Sequence, residues 1–331
     1  MRNLISRLYS PIPYLGRMRS KKYFEGWYFK HVSRDRGAAL AVIPGVSFSE
    51  RGNFCFVQLI DGATGKSRWF PYPLSEFAFS RHAFEISIGS NRFSFQGIEL
   101  HLSDQDGPVE ARLDYRNLTP LAPCLLWPNV MGPYSFAPLM ECYHAIGSMD
   151  HQITGTARVG SATMDFTGGS GYLEKDWGRS MPSAWIWAQS NTFEEEGASF
   201  VFSLARVPWL SRSFPGFFAV LRSGGVVRRF ASYTGAVVKR VSLEGRELRI
   251  DVEDRHLSLK LRARRTREGT LLAPVHGAMD RRIGESIDAC LGIRLEDKKG
   301  ALIFQGTGVS AGAEVVGNVS GLTPVIGRRG D

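Results

Sequence analysis

The chain has 331 residues and is 43% hydrophobic, enough to fill one large β domain or two of ordinary size and too much for a disordered polymer. Its 36 glycines and 16 prolines leave few long stretches free of both, which excludes a helical bundle and predicts an all-β protein of many short strands and turns. Four scattered cysteines (Cys55, Cys124, Cys142 and Cys290) form no C-x-x-C pair, excluding a zinc ribbon or disulfide framework, and the net charge of +9 is unevenly spread.

That charge concentrates at the start. Arg2, Arg7, Arg17, Arg19, Lys21 and Lys22 precede the first acid, Glu25, with Leu4, Ile5, Leu8 and Tyr9 interleaved. Residues 2 to 9 suit a short helix, and residues 1 to 20 form a basic arm whose two readings are a solvated tail and a peripheral contact with an anionic membrane. In KKYFEGWYFK (21 to 30) a strand puts Phe24, Gly26 and Tyr28 on one face and Glu25, Trp27 and Phe29 on the other. A carboxylate on the Trp27 face is costly to bury alone, so Glu25 either pairs with a base, usually an arginine, or takes part in chemistry.

Further along, NFCFVQLID reads as a strand, and FEISIGSNRFSF (84 to 95) as a hairpin with Phe84, Ile86 and Ile88 going out and Phe93 and Phe95 returning. TPLAPCLLWPNVMGPYSFAPLM has too many prolines for a ladder and reads as an apolar connection. SFVFSLARV, ELRIDVEDRHLSLKLRA and ALIFQGTG are later strands, the middle one a second hairpin. Residues 279 to 290 are the other helix candidate, through Ile283, Ile287 and Leu291. The pattern implies β-barrel or sandwich units in tandem, one over residues 21–160 and one over 161–325, or a single domain with a long internal loop.

Chemistry-bearing residues concentrate in three places. MECYHAIGSMDHQITG holds Glu141, His144, Asp150 and His151 at spacings that match no trusted metal motif. A buried Asp150 would serve as proton donor, with His144 to orient it. GYLEKDWGRSMPSAWIWAQSN (171 to 191) puts Glu174 and Asp176 on one strand face and Lys175 and Trp177 on the other. Two carboxylates on one face tend to share a proton, the device an acid catalyst needs near neutral pH. Trp185 and Trp187 share a face continued by Gln189 and Asn191, a row suited to an isoprenoid tail ending in a polar ring. HGAMDRRIGESIDACLGIRLED offers His276, Asp280 as a helix cap, and Glu285 with Arg281 or Arg282 to neutralise it. Arg262, Arg264, Arg265 and Arg267 lack the aromatics of a stacking platform, so nucleic acid is not expected. GTGVSAG has no βαβ context, so no dinucleotide site is expected. No apolar run spans a membrane and no secretory leader is evident, which predicts a cytoplasmic protein, soluble or at a membrane surface.

YFEGWYFK, MECYHAIGSMDHQITG, GYLEKDWGRSMPSAWIWAQSNTF and GTGVSAGAEVVG together resemble the tocopherol cyclase family over about residues 21 to 320. The resemblance implies lipocalin-like β architecture and cyclisation of a prenylated benzoquinol to a chromanol, with no redox cofactor or metal. It casts Glu174 or Asp176 as the acid, with Asp150 competing, Trp177, Trp185 and Trp187 as carbocation stabilisers, and Gln189 and Asn191 as holders of the quinol oxygens. Glu25, Trp27 and His144 complete the substrate-binding set. Plant members carry Asn where this chain has Asp176, which favours Glu174. Two further readings use the same residues: an isoprenoid hydratase in which water captures the cation, and a carrier that binds an isoprenoid without chemistry.

Overall fold

The computed structural model describes residues 4–322 except 17, 19, 139, 210 and 211, so Arg2, Arg17 and Arg19 of the basic arm lie outside the described residues. The strands in chain order are β1 (Tyr23–Val32), β2 (Ala39–Ser49), β3 (Gly52–Asp61), β4 (Ser67–Pro73), β5 (Phe77–Phe79), β6 (Glu85–Ile88), β7 (Asn91–Ser94), β8 (Gly97–Asp104), β9 (Gly107–Arg116), β10 (Cys142–Val159) and β11 (Ala162–Asp165). They continue with β12 (Gly169–Gly178), β13 (Trp185–Ser190), β14 (Ser199–Trp209), β15 (Arg212–Ser223), β16 (Val226–Ala231), β17 (Val237–Glu244), β18 (Glu247–Glu253), β19 (Leu257–Arg264), β20 (Gly269–Val275), β21 (Ala278–Asp297) and β22 (Leu302–Val316). Helix α1 (Leu4–Tyr9) and a few 3-10 turns are the helical remainder among the described residues. The expected all-β class, with few short helices, is the observed one.

The chain divides into two compact units, Met1–Met181 with Arg267–Asp288, and Pro182–Thr266 with Ala289–Asp331. The boundary expected after residue 160 falls in the turn between β10 and β11, inside the first unit. In that unit the antiparallel order β4-β3-β2-β1-β12-β10-β9-β8-β7-β6-β5 curls on itself. Edge strand β4 reaches the far end of the path: the Arg68 guanidinium forks onto Asp104, with Nε at 2.9 Å, and Tyr72 accepts from Asn91 at 3.4 Å. The shell encloses Trp27, Phe29, Leu59, Leu100, Leu113 and Phe166. Its lumen also takes the chain's own segment 11–16, with Ile12 buried and Tyr14 packed on Phe77 and Phe79 at 5.1 and 4.5 Å. The hairpin expected at 84–95 is β6–β7, with Phe84, Ile86, Ile88 and Phe93 all buried.

The hairpin β20–β21 completes the first unit. Its turn puts His276 and Gly277 at φ of 50° and 86°, and a Cβ on Gly277 would lie 2.1 Å from the Phe48 carbonyl, so only glycine lets the turn seat against β2. Ser47 donates to the Gly277 carbonyl at 2.5 Å, and Gln58 bonds Leu272 in both directions at 3.1 Å. The helix expected over 279 to 290 is instead part of β21. Its buried residues Ile283, Glu285, Ile287, Ala289, Leu291, Ile293 and Leu295 recur with a period of two, with Ser286 buried in addition. Asp280 therefore caps no helix and pairs with Arg51 at 2.8 Å.

The second unit has its own antiparallel sheet and its own core of Ile186, Phe200, Phe202, Leu248, Ile250, Leu259 and Leu291. The expected hairpin over ELRIDVEDRHLSLKLRA is β18–β19.

Candidate active site

Strand β12 is the centre of the site. β1 pairs on one side, setting Gly26 opposite Asp176, Tyr28 opposite Glu174 and Lys30 opposite Tyr172. β10 pairs on the other, setting His144 opposite Asp176 and Ile146 opposite Glu174. Because side chains alternate, these groups share the sheet face opposite to Trp27, Phe29 and Leu173, which point into the core.

His144 lies between the two carboxylates that the sequence paired. Its Nδ1 is 2.9 Å from Asp176 Oδ1 and its Nε2 is 3.3 Å from Glu174 Oε2. The Tyr172 hydroxyl donates to the same Glu174 oxygen at 2.6 Å. Burial alone would push the imidazole pKa down, but the charges and hydrogen bonds of Asp176 and Glu174 more than offset this and raise it to about 10. At neutral pH the site therefore holds an imidazolium clamped between two carboxylates. The carboxylates differ in access: the Asp176 side chain is 24% exposed and that of Glu174 only 6%. Next to Asp176 the neighbouring strand offers only Gly26, where an added Cβ would meet a single atom, the Ile43 methyl at 4.0 Å. The glycine leaves open space beside the accessible carboxylate.

The three ligand atoms of His144, Glu174 and Asp176 lie within 4.8 Å of one another, so this is also the place among the described residues where a metal ion could bind. Those atoms already bond to one another in pairs, which suits proton exchange without an ion.

Two further groups on this face, Tyr28 and Lys30, went unnoticed in the sequence, and Glu285, which the sequence offered, joins them. The Tyr28 hydroxyl donates to Glu285 Oε1, which β21 brings from 257 residues away. Lys30 is fully buried; desolvation lowers its pKa to about 7 against the opposing pull of Glu285 and Glu174. Glu285 thus accepts from the Tyr28 hydroxyl and lies in the field of Lys30, two groups the sequence did not pair with it. An alternating apolar strand carrying a Lys at position 30 was the one readable signal.

Glu25 and Trp27 sit on the other face, where the carboxylate has found its base. Glu25 pairs with Lys175 at 2.5 Å, both side chains having zero exposure. Glu25 also accepts from the Leu15 and Gly16 amides and from the Tyr23 hydroxyl, while Lys175 donates to the Pro11 and Pro13 carbonyls at 2.9 Å each. The Trp27 and Trp177 rings flank the ammonium at 5.0 and 5.1 Å, and Trp27 Nε1 donates to the Ile12 carbonyl at 2.7 Å. The cation these two indoles face is the protein's own ammonium. Glu25, Lys175 and Trp27 together fasten segment 11–16 into the lumen.

Asp150 is half-buried on a bulged stretch of β10, six positions beyond His144, and its carbonyl accepts from the Ser148 hydroxyl at 2.7 Å and the Thr119 amide at 3.0 Å. His151, its neighbour, points inward against Tyr115, with ring centroids 4.4 Å apart. Trp185, Trp187 and Gln189 lie on the face of β13 opposite to core residues Ile186 and Ala188, Asn191 follows the strand, and all four belong to the second unit and are buried. Trp185 Nε1 donates to Glu314, and Gln189 donates to Asn191 at 3.2 Å.

The model of one protein family, described as tocopherol cyclase-like, matches residues 85–317. The chain belongs to the tocopherol cyclase-like family. His144, Glu174, Asp176 and Glu285 fall within the matched span, and the β1 residues of the site precede it. No curated protein matches the sequence. Among solved structures the chain is similar to a candidate AttH protein from Nitrosomonas europaea, at 12% identity over 90% of this chain and 94% of that one, TM-score 0.53. It is also similar to CghA with Sch210972, at 10% identity over 89% of each chain, TM-score 0.52. Kievitone hydratase from Nectria haematococca aligns at 11% identity over 92% and 93%, TM-score 0.48. At these identities the first two likenesses establish the fold alone.

Proposed function

We propose that this family member is a cyclase that adds an O–H across a C=C bond within one hydrophobic substrate, of which a prenylated benzoquinol closing to a chromanol is the class its family points to. The observation that carries the reading is the His144 ring held between Asp176 and Glu174. His144 hands its proton to Asp176, the more accessible carboxyl, which passes it to the alkene carbon nearer the ring, leaving a tertiary carbocation. The phenol oxygen captures that cation, forming the C–O bond, and the phenol proton returns to the array. The substrate is isomerised, no electrons are gained or lost, and His144 with Glu174 resets the charge on Asp176. The space over Gly26 admits the reacting carbon.

The test is incubation of the purified protein with a prenylated benzoquinol under reducing conditions, with and without chelator, followed by chromatography with mass detection. An isomer of unchanged mass, formed with chelator present and lost in Asp176→Asn, is the expected result. A product heavier by one water would make the enzyme a hydratase, and bound but unchanged quinol a carrier. Activity abolished by the chelator would turn the three residues into metal ligands.

A further inference from the structure

A second surface of the first unit has features that the proton array does not explain. In the connection between β9 and β10, Cys124 and Trp127 pair across a tight turn, each amide bonding the other's carbonyl at 3.0 Å, with Leu125 and Leu126 at its tip. Turn tips are ordinarily glycine, asparagine, aspartate or proline, residues that water solvates or whose backbone suits the bend. Here the tip leucines are 82% and 68% exposed, the two most exposed large hydrophobics among the described residues. The tip is tied to the N-terminal helix, because Tyr9 donates to the Leu125 carbonyl at 2.7 Å and Asn129 to the Leu8 carbonyl at 3.3 Å. Beside it opens a largely apolar cavity of about 620 Å³, walled by Leu8, Phe136, Met140 and the stacked Tyr143–Trp177 pair. Phe136 stands 48% exposed at this cavity.

The charged side chains that line this cavity are cations. Arg7 and the exposed Arg179 line the cavity, exposed Lys21 follows in the chain, and Lys22 meets Glu50 at 2.9 Å. No acid precedes Glu25 in the sequence, and Glu25 is sealed in its pair with Lys175. Two leucines and a phenylalanine expose far less than the roughly 800 Å² per partner of a stable protein interface, so a second protein would find little to hold. A fluid bilayer needs no matching surface, and apolar tips ringed by cations suit its interface.

We propose that the Leu125–Leu126 tip inserts into an anionic lipid bilayer, with Arg7, Lys21 and Arg179 meeting the headgroups and the adjoining cavity opening to the acyl layer. This docking face lies on the side of β10 and β12 away from the proton array, since Tyr143 and Trp177 alternate with His144 and Asp176. It stands whatever reaction the array performs.

The full chain is tested by flotation with vesicles of phosphatidylcholine alone and of phosphatidylcholine with phosphatidylglycerol. Exposed Cys124 also accepts an environment-sensitive fluorophore next to the tip, Cys55 and Cys142 being buried and Cys290 replaced by Ser. We expect binding to the anionic vesicles that weakens with salt, with a blue shift of the label. Leu125→Asp with Leu126→Asp should weaken binding about tenfold or more, while Val226→Asp with Val227→Asp, also exposed but in the second unit, should not. Absence of binding, binding indifferent to the tip substitutions, or a dimer that the tip substitutions dissolve would each overturn the proposal.

Discussion

Lys175→Met removes an ammonium from a site with no access to water while keeping the length and apolar stem of the side chain. Breaking a buried ion pair from one side costs about 3–5 kcal/mol, because the remaining charge has lost its counter-ion. The Pro11 and Pro13 carbonyls would also lose the donor that both share, at about 1 kcal/mol or more each. Against this, Glu25 keeps its bonds from Leu15, Gly16 and Tyr23, which limits the loss. A central value of about 5 kcal/mol follows. In a unit of about 200 residues this lowers Tm by about 10–20 °C, readable by scanning calorimetry. Adding Glu25→Gln removes the stranded charge, so the double variant should regain at least half of the fall. A single variant that melts within about 3 °C of the parent, or a double variant no better than the single, refutes the fastening role. Lost turnover with an unchanged Tm would move Lys175 into the chemistry.

Other perturbations have definite expected outcomes. The imidazole of His144 is raised from 6.5 to about 10 on folding, so its stabilising contribution is complete below about pH 6.5, declines above it and is gone above about pH 10. The Tm advantage of the parent over His144→Gln should follow that course, and a pH-independent gap would contradict the clamp. His31 and His151 behave oppositely, since burial holds them at about 4 and about 3; stability should fall as the pH drops below about 6.5, and His151→Phe should flatten that limb in acid titrations followed by circular dichroism. Gly26→Val fills the space beside Asp176, and kcat/KM should drop at least about tenfold with Tm nearly unchanged. Undiminished turnover would place the substrate elsewhere. Glu174→Gln should slow turnover less than Asp176→Asn if Asp176 is the group that meets substrate; the reverse order would make Glu174 the donor.

Much of the architecture was legible because strands advertise themselves. Phe84, Ile86, Ile88 and Phe93 alternate cleanly, and the burial of all four follows from that pattern. The misreading of 279 to 290 shows where the signal fails: Ile283, Ile287 and Leu291 recur every four residues, which a helix turn and two strand pleats produce alike. What would have broken the tie is the residue between them, and it is Glu285, a buried acid that hides the period of two. Within the site, the shared face of Glu174 and Asp176 follows from spacing alone. The arrival of His144 between them does not, because it depends on the register of β10, which shifts twice before His151. Glu25 was readable as a carboxylate in need of a base, but its partner stands 150 positions along the chain, and nothing local distinguishes Lys175 from an exposed lysine.

Glu285 reaches Tyr28 only after the whole of Pro182–Thr266 has been threaded through the other unit. During synthesis, then, the first unit emerges with one wall missing, and Tyr28 and Lys30 wait without Glu285 while most of the remaining chain is made. A fragment ending at Met181 would keep His144, Glu174 and Asp176 yet lack the strand that covers their neighbours. Such a fragment is not a smaller version of the protein but an arrested stage of its assembly.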